Sequence, residues 1–288
     1  MVFFSGRRPN TGQLCLCVIR VTHSSCGTRL TKSPRCRSQF TYSASDLVMH
    51  FVGKVDKIRA NTASVPPPRV VDCQCASGLS MFQQVTTGDI RRLISRAPCK
   101  HCDLDPAPTW LVKRAIDVVA PVIADVCNVS VLSGFFPQSQ KLAQVTARLK
   151  KPSMDPDDLN SFSPISNLTL LSKIMERMVT KQFTSHAALN GLFPERPSAY
   201  SQFHSTESAV LALHNDTVCA NDRGKVTGLV LLDLSSAFDT VDHTLLQSIL
   251  ESRCLVTGQS LAWFHSYLMD RAQVYTTRSS QTFLIPLT

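Results

Sequence analysis

An apolar run, Leu229, Val230, Leu231 and Leu232, delivers a carboxylate, Asp233, to its far end. The stretch LLDLSSAFDTVDH, residues 231 to 243, then adds Phe238, Asp239 and Asp242. A short continuous apolar run suits a strand buried on both faces, and Gly224 and Gly228 punctuate its approach. An acidic side chain where such a strand leaves the core can hold a divalent cation on a rigid backbone, the arrangement that metal-assisted phosphoryl chemistry requires. The same pattern also has a plainer use, because an Asp ending a buried strand often caps the next turn. No Ser or Cys stands in a nucleophile elbow beside His243, and no P-loop or dinucleotide-type glycine pattern occurs, so hydrolase triads and those nucleotide folds fall away.

The elements that must position these groups are mostly helices. Asp242 is placed to cap a helix outlined by Leu245, Leu246, Ile249 and Leu250. Leu111, Ala115, Val118, Val119, Val122, Ile123 and Val126 recur at helical spacing, with Pro121 expected to bend the element. Ile165, Leu168, Leu171, Ile174, Met175, Met178 and Val179 form a second stripe, capped by Ser166 or Asn167. A third helix is expected from Thr206 through Val210 and Leu213 to Val218. These stripes read as core, and His204 and His214 as structural or surface histidines. Trp263, Phe264 and Tyr267 form an amphipathic stripe with Leu261 and Leu268. Packing explains those aromatics better than base stacking.

Composition sets the outer bounds. A chain of 288 residues with 43% hydrophobic residues can bury a core, and a net charge of +9 suits a polyanionic partner. Two basic clusters stand out: Arg148, Lys150 and Lys151, and the group Arg7, Arg8, Arg29, Lys32, Arg35 and Arg37. Of the eleven cysteines, Cys99 and Cys102 flank His101 in a C-x-x-C pair, but no second pair follows at zinc-finger distance. Buried free thiols in a reducing compartment are the expectation for Cys127, Cys219 and Cys254. The LCLCVI run ends at Arg20, and the stretch from Val118 to Leu132 is interrupted by Pro121, Asp125 and Asn128, so neither a signal peptide nor a membrane span is expected.

DLSSAFDTVDH resembles the first catalytic motif of reverse transcriptases from non-LTR (LINE-type) retrotransposons. Residues 145 to 183 (VTARLKKPSMDPDDLNSFSPISNLTLLSKIMERMVTKQF) resemble that family's fingers segment leading into its first long helix. Residues 192 to 216 resemble the next fingers motif, 261 to 275 the stretch after the catalytic strand, and 97 to 113 with 128 to 145 the linker before the polymerase. The resemblance covers roughly residues 46 to 288. It implies that Asp233 binds catalytic Mg2+, that Phe238 lies under the sugar of the incoming nucleotide with Leu234 beside it, and that an RNA template and a DNA primer are partners. Two departures touch the fingers, where Ser163 and Ser201 stand in place of arginines. A serine hydroxyl cannot reproduce a guanidinium fork on phosphate, which weakens the expectation of dNTP binding. The chain ends before the family's Gln-Gly-Ser-Pro-like loop and Tyr-x-Asp-Asp hairpin, so independent polymerase activity is not expected.

The resulting expectation is an α+β fold: the fingers and partial palm of a right-hand polymerase, helix-rich, with a disordered N-terminal segment. Residues 1–45 would be disordered, 46–86 linker-like around the three prolines from Pro66, 87–144 a helical connection, and 145–288 fingers and partial palm. The function is a fragment of an RNA-directed DNA polymerase, the alternative being a non-enzymatic nucleic-acid-binding remnant. Its place is intracellular, in nucleus or cytoplasm, and its oligomeric state is open.

Overall fold

Helix starts are fixed by side chains that satisfy the first backbone N–H groups. Ser43 and Asp46 form a reciprocal capping box at one helix, Thr86 and Asp89 at a second, and Ser205 and Ser208 at a third. The computed structural model describes residues 17–18, 42–66, 77–99, 102–193, 205–230, 236–277, 281–282 and 284–286. In chain order the elements are β1 (Cys17–Val18), α1 (Ala44–Thr62), α2 (Thr87–Arg96), α3 (Thr109–Arg114), α4 (Ile116–Ser133), β2 (Leu142–Leu149) and β3 (Phe162–Asn167). They continue with α5 (Leu170–Leu189), α6 (Thr206–Asp222), β4 (Leu229–Val230), α7 (His243–Ser252), α8 (Gly258–Leu268), β5 (Ala272–Tyr275) and β6 (Ile285–Pro286). This is a mixed helix and sheet architecture in two units, Arg37–Asn190 with Phe238–Thr288, and Met1–Cys36 with Gly191–Ala237.

The larger unit has two cores. In the first, Trp263 of α8 is fully enclosed, stacked on Tyr267 at 5.3 Å and met edge-on by Phe82, Phe136 and Phe264. Its indole N–H donates to the Ser130 hydroxyl at 3.0 Å, and that hydroxyl donates to the Phe135 carbonyl at 2.6 Å. Ile90 and Ile94 of α2, Ala120, Ala124, Cys127 and Val131 of α4, and Ile174, Met175, Met178 and Val179 of α5 close this core. Residues 79–85 lace it together. Val85 exchanges two hydrogen bonds with the Asn128 amide, Gln83 does the same with the Gln182 amide, and Leu79 exchanges backbone bonds with Leu255 and Thr257.

In the second core, Ala44, Leu47 and Phe51 of α1 pack with Val145, Phe162 and Tyr275 of a four-stranded sheet of order β3-β2-β5-β6. β2 pairs antiparallel with β3 (Val145↔Ser166) and parallel with β5 (Val145↔Tyr275), and Phe51 stacks on Tyr275 at 6.3 Å. Side chains alternate along β2, so Val145, Ala147 and Leu149 face α1 while Gln144, Thr146 and Arg148 take the other face. On that far face the Gln144 amide donates to Asp103 at 3.0 Å. Asp105, from the same loop, accepts from the Leu170 N–H at 2.7 Å and so helps to cap α5.

Four expectations change here. The first concerns residues 46–86, read as linker-like, which hold the 19-residue α1 over most of their first half. The prolines that suggested a linker lie beyond its end. Second, the stripe from Leu111 breaks at Ala115 into two helices, and α4 runs through Pro121, which costs one intrahelical bond. α4 is apolar nearly all round, so periodicity alone could not select its buried face. That face is the small-residue row Ala120, Ala124, Cys127 and Val131, while Val118 and Val122 remain 75% and 60% exposed. By length and composition α4 is also the one helix among the described residues apolar enough to cross a membrane, yet this row of it lies in the first core. Third, Ile165, Ser166 and Asn167 belong to β3, and the cap of α5 is Thr169. The ladder to β2 claims those residues before the helix begins.

The smaller unit contains α6 and a parallel pairing of β1 with β4, Cys17↔Leu229 and Val18↔Val230. The fourth change is here, because the run expected to be buried on both faces leaves Leu229 49% and Val230 38% exposed. A ladder two residues long shields neither face of a strand.

Trp263→Ala should cost about 3–5 kcal/mol, because it empties the aromatic hub and removes the N–H that Ser130 accepts; a fall in Tm or denaturation midpoint checks this. The Ser43 hydroxyl and N–H hold the Asp46 carboxyl below its ordinary value. A lowered carboxylate contributes stability that is present above its unfolded value and lost as pH falls through the folded one. The Tm gap between the native protein and Asp46→Asn should therefore be open at neutral pH and close on acidification through the carboxylate range.

Candidate nucleotide and nucleic-acid site

The groups singled out in the sequence are distributed over both units. Asp233 and Leu234 lie outside the described residues, as does Ser201. Ser236, in the smaller unit, adopts a left-handed backbone at φ 51°, which turns the chain sharply after them. Phe238 is in the larger unit, in the turn that ends before α7, and its ring is 76% exposed. Asp242 caps α7 as expected, accepting from the Leu245 N–H at 2.9 Å.

Asp239, beside Phe238, is tied to α1. The Arg59 guanidinium donates to its backbone carbonyl at 3.3 Å. Desolvation pushes its carboxyl above the ordinary range, and the Lys54 ammonium pulls it back. The Tyr275 phenol is raised to about 12, by burial first and by the Asp239 charge second. These α1 contacts were not foreseen from the sequence. Lys54 and Arg59 are spaced like surface residues, and only the packing of Leu47 and Phe51 on the sheet brings them to the turn.

Of the basic cluster, Arg148 lies on the far face of the sheet opposite Ser163, while the Lys150 ammonium donates to the Asn160 carbonyl at 2.7 Å. Lys151 is exposed in the following turn. Arg148 thus lies within the strand, and Lys150 and Lys151 follow its end.

No three His, Cys, Asp or Glu side chains converge on a metal position among the described residues. Cys99 is exposed, Cys102 is buried, and His101 is outside the described residues. Cys127 packs in the first core, and burial pushes its thiol up to about 12. Cys219 and Cys254 are half-buried cysteines outside any disulfide.

A mixed helix and sheet fold carrying the 231–243 segment is compatible with a polymerase, and comparison with known proteins identifies the class. Residues 149–285 match the family described as reverse transcriptase (RNA-dependent DNA polymerase). The chain is 30% identical over 146 residues to a probable RNA-directed DNA polymerase from transposon BS of Drosophila melanogaster, an alignment covering 51% of this chain and 16% of that protein. It is 25% identical over 207 residues to the RNA-directed DNA polymerase from mobile element jockey of Drosophila funebris, covering 69% of this chain and 22% of that protein. A third relative is the probable polymerase from transposon X-element of Drosophila melanogaster, at 29% over 158 residues, with 55% of this chain and 17% of that protein covered. Over this stretch the chain is similar to the reverse transcriptases of mobile elements, which supports a segment of the non-LTR, LINE type. It spans about a fifth of the length of the curated relatives it matches.

At neutral pH an alkylating reagent should modify Cys99 quickly and Cys127 only after unfolding. Peptide mapping of the labelled protein checks this, and equal labelling of the two would contradict the burial described.

Proposed function

We propose that this chain serves within an RNA-directed DNA polymerase as its fingers and the first part of its palm. The observation that supports this reading is the family match over 149–285, which contains the ordered residues DLSSAFDTVDH. Asp233 would be one ligand of a divalent cation, Mg2+ being the ion the resemblance implies. The described residues offer no complete cation site, so no step is routed through one. Such an ion, when bound with further carboxylates, neutralises charge on the phosphates of an incoming nucleotide.

This chain's own part is positioning. The exposed Phe238 ring offers a flat apolar surface on which a deoxyribose would rest, and its edge would meet a ribose 2′-hydroxyl. Asp242 fixes the start of the helix that follows, and Arg59 holds the turn from the other side. Arg148, Lys150 and Lys151 would neutralise template or primer phosphates. With Ser163 in place of an arginine fork, the chain would grip a triphosphate weakly. The net charge of +9 favours a second reading, nucleic-acid binding without chemistry.

In the chain joined to the remainder of a polymerase of this family, Asp233→Ala should abolish primer extension on an RNA template. Phe238→Ala should retain extension and admit ribonucleotides. Unchanged extension by the first variant overturns the catalytic assignment. No extension by the joined enzyme, with RNA binding that falls steeply with salt and ignores Asp233→Ala, favours the second reading.

A further inference from the structure

α1 lies outside the matched reverse-transcriptase segment, yet it presents a row of basic residues. Its core side chains, Leu47 and Phe51, face the sheet. His50, Lys54 and Lys57 follow one another at spacings of four and three, which places them on one flank of that buried face. The row is roughly 10 Å long at 1.5 Å rise per residue. Lys150, just past the end of β2, adds a further positive charge that acts on His50. The His50 imidazole is pushed below its ordinary value by burial first, then by the ammoniums of Lys54, Lys150 and Lys57, with Asp158 opposing them.

The surrounding acids are largely occupied or turned away. Asp46 is held in its capping box, Asp158 accepts from the N–H and amide of Asn160, and Asp56 falls on the opposite side of the helix. Asp239 faces Lys54. Neither Lys54 nor Lys57 forms an ion pair among the described residues. Gly53 lies beside the row with nothing within 4 Å of where a Cβ would stand, so the helix surface there is bare.

We propose that the α1 face carrying His50, Lys54 and Lys57, together with Lys150, is a track for the phosphate backbone of a nucleic acid, on the opposite side of the sheet from Arg148. The inference rests on the nucleic-acid-binding part of the reading above and extends it to a helix which that reading does not use. Lysines that form no ion pair among the described residues suit a polyanionic chain contacted through its phosphates. The row offers no apolar side chain for insertion into a lipid surface, and no stacking platform for bases.

The test is a salt series of binding to a labelled single-stranded RNA of mixed sequence, read by fluorescence anisotropy on the full chain. Lys54→Gln with Lys57→Gln should weaken binding about tenfold at low salt and lower the log–log salt slope by roughly 1 to 1.5, at about 0.7 per phosphate contact. Lys54→Arg with Lys57→Arg should bind like the native protein, which also controls for folding. Arg177→Gln with Lys181→Gln, an equal loss of charge on α5, should change the slope little. An unchanged slope in the Lys54/Lys57 glutamine variant, beside clear native binding, overturns the track and leaves the polymerase reading intact. Equal losses in the α1 and α5 variants also overturn it, since net charge alone would then explain them. No binding by the native chain overturns it too, while primer extension by the joined enzyme still decides the polymerase reading.

Discussion

The enclosure of Trp263 is the constraint on which most of the larger unit depends. An indole needs both a large apolar pocket and one polar partner. Here Phe82, Phe136, Phe264 and Tyr267 line its surroundings, and Ser130 supplies the acceptor. Meeting both needs at once fixes the distance and rotation of α8 relative to α4. It also explains why the small residues of α4 face inward: Ala120, Ala124 and Cys127 leave room for their neighbours' large side chains. The outward valines of α4 follow from that choice.

The sheet core is a lighter version of the same logic. Leu47 and Phe51 bind α1 to β2 and β5, and the helix then extends past the sheet to the turn that carries Phe238 and Asp239. Arg59 and Lys54 reach that turn because the apolar face is satisfied first. A segment outside the matched family region thus supports the residues that the family resemblance singles out.

What could be read in advance divides along physical lines. The aromatic stripe of α8, the apolar stripe of α5 and the Asp242 cap were legible, because each combines strong periodicity or a specific capping residue with one dominant partner. The buried face of α4 was not, since its sequence is apolar on most sides and only packing chooses among them. Ile165 was assigned to the wrong element because a strand residue happened to fall in phase with the helix that follows. α1 was hidden by the prolines beyond its end, and the far-face position of Arg148 depends on the register of β2 with its neighbours. The family resemblance was legible because several motifs, DLSSAFDTVDH foremost, follow one another in the expected order. The cation-holding geometry around Asp233 was not, since a carboxylate's ligand set is assembled from distant parts of a chain.

The bond between the Trp263 indole and Ser130 joins residues 133 positions apart. At a synthesis rate of about 5–20 residues per second, α4 leaves the ribosome on the order of ten seconds before the side chain that covers it is made. For that interval the most apolar helix in the described chain has no tryptophan to receive it. During synthesis the small-residue row of α4 therefore emerges well before the indole that closes over it.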